Sequence, residues 1–122
     1  MSRHLVAVYG TLRRGGHNNK LLHSSECLGE DSVRGVMYDN GGFPYLVLDE
    51  SGTEVVVEVY SVDDSTLRRL DWLEGYDGNR EWNHYDRSCI ELHSGTKALI
   101  YHVEKGDVEH LPVVESGNWF VK

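Results

Sequence analysis

The stretch Glu54-Val55-Val56-Val57-Glu58-Val59-Tyr60-Ser61-Val62-Asp63-Asp64-Ser65-Thr66-Leu67-Arg68-Arg69-Leu70-Asp71-Trp72-Leu73-Glu74-Gly75 decides the fold. Its first seven residues are dense in β-branched side chains and read as a strand. From residue 63 to residue 74 the apolar positions change to a helical spacing. Asp63 or Asp64 suits the N-cap of that helix, and Gly75 suits the position after its last turn. No other segment reads as a substantial helix.

Outward from this stretch the chain reads as short strands joined by turns. Residues 5–9 are apolar throughout and stop at Gly10, as expected of a strand buried on both faces. Residues 33–38, 43–48, 88–92 and 98–103 are further strand candidates, residues 18–23 one helical turn, and Trp119-Phe120-Val121 an apolar tail. Thirteen glycines against two prolines punctuate these runs. Five or more strands with one helix predict an α+β fold. The sheet is expected to be strongly curled or closed, because several strands look buried on both sides. With 122 residues, 39% of them hydrophobic, residues 1–122 are expected to form one domain whose core needs no metal or disulfide.

Charge narrows the partners. Twelve Lys and Arg against twenty Asp and Glu give a net charge of −8, and the longest basic run is Arg13-Arg14. Such a surface repels a phosphate backbone, so neither nucleic acid nor an anionic membrane is an expected partner. A small-molecule substrate fits this charge, since a few placed groups suffice to hold it. No apolar run approaches a membrane span. The opening residues are too short and too alternating for a signal peptide, so a cytoplasmic location is expected. The two cysteines, Cys27 and Cys89, read as buried free thiols in a reducing compartment.

The helix carries an acid where an apolar residue belongs. At about 100° per residue, with Leu67 at zero, Leu70 lies near −60° and Leu73 near −120°. Those three leucines define the expected core-facing stripe, and Glu74, near −20°, falls inside it. Asp71 sits at the edge of the arc. Burial and the negative end of the helix dipole both disfavour an ionised Glu74 and raise its pKa. A glutamate tuned toward neutrality suits general acid–base work. The alternative is a frayed last turn with Glu74 in water.

A second feature is the turn Tyr9-Gly10-Thr11-Leu12-Arg13 after the first strand. Gly10 permits a sharp bend or a close approach to a ligand, and successive N–H groups in such a turn converge on an anion. Arg13 or Arg14 could add a fixed charge. The alternative is an ordinary turn. The chain lacks P-loop spacing, a dinucleotide fingerprint, a His-Glu-x-x-His motif and zinc-type cysteine spacing, despite seven histidines. No metal or other cofactor is therefore expected.

The run Val8-Tyr9-Gly10-Thr11-Leu12-Arg13 with Gly16 and Asn18, the turn Gly41-Gly42-Phe43-Pro44, the segment Leu70-Asp71-Trp72-Leu73-Glu74-Gly75-Tyr76 with Tyr85 and Arg87, and Ser116-Gly117-Asn118-Trp119 occur in this order. Together they resemble the γ-glutamylcyclotransferase-like family, in particular its short members related to γ-glutamylamine cyclotransferase. The resemblance spans nearly the whole chain. It implies a small mixed β-barrel with helices packed around it, a turn at Tyr9, Gly10, Thr11 and Leu12 that binds substrate through backbone groups, and Glu74 as catalytic acid–base. The stretch from Asp77 to His84 is longer than in many relatives, which puts substrate identity and the placement of Tyr85 in question.

The reaction implied is internal acyl transfer. A substrate α-amine attacks its own γ-amide carbonyl, 5-oxoproline forms, and an amine or amino acid leaves. Arg13, Tyr85 and Arg87 join the turn as candidate substrate-binding residues. Tyr85 has the equal alternative of a half-buried barrel tyrosine. Arg87 has the alternatives of pairing with Asp86 or Glu74. Tyr101 and Trp119 read as core or rim aromatics. Two other functions stay open: a non-catalytic metabolite-binding module on the same fold, and an enzyme acting on a different small acyl amide.

Overall fold

The computed structural model describes residues 3–76 and 84–121. Six strands form one sheet: β1 (Arg3–Val8), β2 (Glu26–Asp39), β3 (Pro44–Leu48), β4 (Thr53–Asp63), β5 (Asp86–Glu91) and β6 (Lys97–His102). Two helices, α1 (Asp64–Glu74) and α2 (Lys105–Val108), and one turn of 3-10 helix, Asn19–Leu22, complete the elements. The order across the sheet is β3-β2-β4-β1-β6-β5. Every pairing is antiparallel except β1 with β6. The sheet curls into a half-barrel. Past the end of β6, the Val103 N–H donates to the Leu46 carbonyl of β3 at 2.9 Å, which carries one edge of the sheet back toward the other side.

β1 lies at the centre and is buried on both faces, as its unbroken apolar run implies. Its side chains alternate between two cores. Val6 and Val8 join Val62, Leu67 and Leu70 on the face that α1 covers. Ala7 and Tyr9 join Val55, Val57, Leu46 and Ile100 on the other. Leu70 is fully buried and anchors α1, a contribution of roughly 1.5–3 kcal/mol by area.

α1 starts where the sequence suggests. The Asp63 carboxylate accepts from the Thr66 N–H at 2.7 Å, and Gly75 closes the helix in the left-handed region at φ 67°. One expectation is corrected here. Leu73 is partly exposed, and Thr66 takes the third place on the buried face with Leu67 and Leu70. That shift leaves the position of Glu74 on the covered side.

β2 begins seven residues before residue 33, the start expected from its apolar run. Glu26 to Ser32 is polar and partly exposed, so it shows no hydrophobic alternation; its backbone pairs with β4 across a bulge at Gly29. The four residues of α2 form a single turn, too short for periodicity to register. Among the described residues, no helix is long and apolar enough to cross a membrane.

Candidate active site

A cavity of about 250 Å³ opens where β1 ends. Its walls come from the turn at Tyr9 to Leu12, from Phe43 and Pro44 before β3, from Leu73 and Glu74 at the end of α1, from His84 and Tyr85, and from Tyr101 of β6. Residues distant in sequence meet here because the curled sheet sets β1 beside β6 and brings β3 near them.

The glycine turn is firmly built. Arg13 N–H donates to the Gly10 carbonyl at 3.0 Å, and Asn18 N–H donates to the Thr11 carbonyl at 3.0 Å. The Asn18 side chain reaches Thr11 Oγ1, and the Asn19 side chain donates to the Leu12 carbonyl at 2.8 Å. Gly10 is required by its neighbour, since a Cβ there would stand 2.5 Å from Pro44 Cγ. Among the described residues, the amides of Gly10, Thr11 and Leu12 meet no backbone acceptor. The three residues line the cavity.

Three tyrosines tie the wall together. Tyr9 donates to the Tyr101 carbonyl at 2.6 Å, Tyr85 donates to the Pro44 carbonyl at 2.8 Å, and Tyr101 donates to Asp71 Oδ1 at 2.7 Å. Burial is the first cause that pushes all three phenols well above their ordinary pKa, so each acts as a neutral donor. Behind the wall residue His84, the Tyr45 hydroxyl lies 3.0 Å from His84 Nε2.

Glu74 faces this wall from the last turn of α1. The residue is half-buried, and desolvation of its carboxyl raises the pKa from 4.5 to about 7. Among the described residues, burial is the cause of this shift. The arrangement is thus a carboxyl that is part acid and part base near neutrality, on the wall of a small cavity that the glycine turn also lines.

Tyr9, Gly10, Thr11, Leu12, Glu74 and Tyr85 therefore converge on the cavity, whereas two other candidates do not line it. Arg13 turns to the opposite side. Its guanidinium meets Glu58 at 3.1 Å and Asn118 at 2.8 Å and lies over the Phe120 ring. Glu58 also accepts from the Arg14 N–H at 2.7 Å, so this buried pair anchors the turn from behind. Arg87 pairs with neither Asp86 nor Glu74. Its Nη1 lies 2.8 and 2.6 Å from the two oxygens of Asp71, and its guanidinium stacks on Tyr76. The segment whose length stood out in the sequence lies outside the described residues from 77 to 83; His84, at its end, lines the cavity. Tyr101 is a wall residue, which the sequence could not signal because nothing in it pairs β6 with β1.

Fold and cavity together define a class: a curled mixed sheet with a small-molecule pocket between a glycine turn and the end of one helix. The same fold occurs in a uropathogenic E. coli-specific protein, at TM-score 0.76 and 24% identity over 98% of this chain and 94% of that one. It occurs also in an aig2-like protein from Mus musculus, at TM-score 0.73 and 25% identity over 94% and 88% of the two chains. Residues 6–121 match the family described as "Gamma-glutamyl cyclotransferase, AIG2-like", and the chain belongs to that family. A protein of Vibrio cholerae named "Putative gamma-glutamylcyclotransferase" is 38% identical over 96% of each chain. One of the same description from Methanocaldococcus jannaschii is 42% identical over 93% of each. The "Gamma-L-glutamyl-butirosin B gamma-glutamyl cyclotransferase" of Niallia circulans is 40% identical over 72% of this chain and 58% of its own length.

Proposed function

We propose that the protein cyclises a γ-glutamyl conjugate, releasing 5-oxoproline and an amine or amino acid, with Glu74 moving the protons. The observation that carries this reading is a desolvated carboxyl with a pKa near neutrality on the wall of a cavity that Gly10, Thr11 and Leu12 also line. Membership of the family supports a γ-glutamyl substrate class.

The substrate already contains both reacting groups, so holding it folded in a near-attack shape supplies much of the rate. A protonated α-amine has no lone pair. Ionised Glu74 takes a proton from it, and the freed nitrogen attacks the γ-carbonyl carbon. The carbonyl electrons move to oxygen, and the amides of the glycine turn hold either that oxyanion or the substrate carboxylate. Protonated Glu74 then delivers to the departing nitrogen as the carbon–nitrogen bond breaks. Two protons in all leave the α-nitrogen and two reach the leaving amine, so the carboxyl ends as it began. Tyr85 and Tyr101, held neutral by burial, shape the wall and exclude water. No described residue on the wall is a lysine or arginine.

Release of 5-oxoproline from a panel of γ-glutamyl amino acids and γ-glutamyl amines tests the reading. Wild type should turn over at least one of them. Glu74→Gln should still fold and unfold cooperatively, and lose turnover by roughly 10²–10⁴-fold. Wild-type rates from the Gln variant would remove Glu74 from the mechanism. A bound panel member with no conversion by wild type would turn the protein into a binding module.

A further inference from the structure

Building on the cyclisation proposed above, we infer that the aromatic face formed by Phe43 and His84, backed by Tyr45 and Tyr85, receives the leaving group, and that the preferred conjugate carries an aromatic ring on its departing nitrogen's substituent. Phe43 and His84 are then specificity-determining residues.

The rings form one continuous cluster. Phe43 meets Tyr45 edge-on, with 5.3 Å between centroids and 72° between planes, and His84 meets Tyr85 in the same manner at 5.0 Å and 63°. Tyr45 joins the two halves, 5.3 Å from Tyr85 and 5.6 Å from His84. Phe43, His84 and Tyr85 line the cavity. Tyr45 and Tyr85 pack into one core of the protein, whereas Phe43 belongs to neither core and is only partly buried, and His84 is exposed. Core packing therefore does not account for the Phe43 ring at the cavity edge.

Backbone bonds tie this face to the proton carrier. The His84 N–H donates to the Gly75 carbonyl at 2.8 Å, and the Tyr85 N–H donates to the Glu74 carbonyl at 3.2 Å. At Pro44 the face meets the glycine turn. The Pro44 ring fills the space a Gly10 side chain would take, and its carbonyl accepts from the Tyr85 hydroxyl at 2.8 Å. A glutamyl group carries an ammonium and a carboxylate, which an aromatic surface would desolvate without pairing. It therefore takes the turn. The departing nitrogen must stay within reach of Glu74 to receive its proton, so its substituent extends over the rings held beside Glu74 and Gly75. A ring placed there gains edge-on or offset contacts that a methyl group cannot make.

Two matched pairs of conjugates test this: γ-glutamylbenzylamide against γ-glutamylmethylamide, and γ-glutamylphenylalanine against γ-glutamylglycine. Each is measured by kcat/KM for 5-oxoproline release and by calorimetric Kd. In at least one pair the aromatic member should be favoured by roughly tenfold or more. The pair with the larger ratio tells whether the ring arrives on an amine or on an amino acid. Phe43→Ala and His84→Ala should each cut that ratio by roughly threefold or more, and Phe43→Tyr, which keeps the ring, should retain it. Because the ratio is taken within one variant, a general loss of stability or turnover does not move it. If Phe43→Ala fails to fold, His84→Ala, at an exposed position, decides alone. No aromatic preference in either pair, or a preference untouched by both alanine variants, would overturn the inference. A wild type that releases no 5-oxoproline from any of these conjugates would discard the cyclisation reading; the Kd ratios then decide the aromatic subsite by the same criteria, with no measurable binding counting against it.

Discussion

A carboxyl that holds its proton to about pH 7 when folded, against an ordinary value of 4.5, makes stability depend on pH. The folded state binds more protons between those values, so stability falls as pH rises from the lower to the higher. Below that window Glu74 costs nothing through ionisation; above it the full penalty is present, on the order of 2–3 kcal/mol. Glu74→Gln removes the charge and should therefore be more stable than wild type at about pH 8 and equal to it near about pH 4. Urea unfolding of both proteins at the two pH values checks this, and a Gln variant no more stable at the alkaline value would show that the carboxyl reaches water. At this scale Glu74 was legible because a helical period assigns each residue a face. Gly10 was legible as a turn, but not the proline that forbids it a side chain. Arg13 and Arg87 were not legible. Which acid an arginine meets depends on strand pairing, and Glu58 and Asp71 lie 45 and 16 residues away.

Helix α1 is the element that delivers the acid, and its two ends are fixed by local chemistry. Asp63 caps the start, and Gly75 ends the last turn with its N–H near the Asp71 and Trp72 carbonyls. Asp63→Ala should destabilise the fold by about 1 kcal/mol, read as a lower unfolding midpoint. The cap lies three turns from the cavity, so turnover at temperatures well below the transition should change little. The boundaries of α1 could be read from sequence because caps are made by residues adjacent to the helix. Those of β2 could not. Its first half carries no apolar alternation and is held by backbone bonds to β4, which leave no trace in side-chain pattern. Leu73 shows the limit of the period itself. It keeps the spacing of the stripe, yet it is partly exposed and borders the cavity instead.

For the whole molecule the α+β class and the curl of the sheet followed from counts of strands and from runs with no polar face. The strand order did not, because nothing local says that β1 pairs with β6. That pairing joins Val6 to Leu99 and Ala7 to Ile100. A sheet whose parallel ladder spans so much of the chain should refold slowly for its size, in roughly milliseconds to seconds. Stopped-flow tryptophan fluorescence measures this, and relaxation in microseconds would contradict the stated dependence on long-range pairing.

The parallel ladder also bears on synthesis. The first sixty-odd residues hold β1, β2, β3 and β4, all of which pair antiparallel with one another and can assemble as soon as they leave the ribosome. Glu74 emerges next, but Tyr85 and Tyr101 come later still. The cavity that Glu74 borders therefore gains its Tyr85 and Tyr101 walls only when the final third of the polypeptide docks.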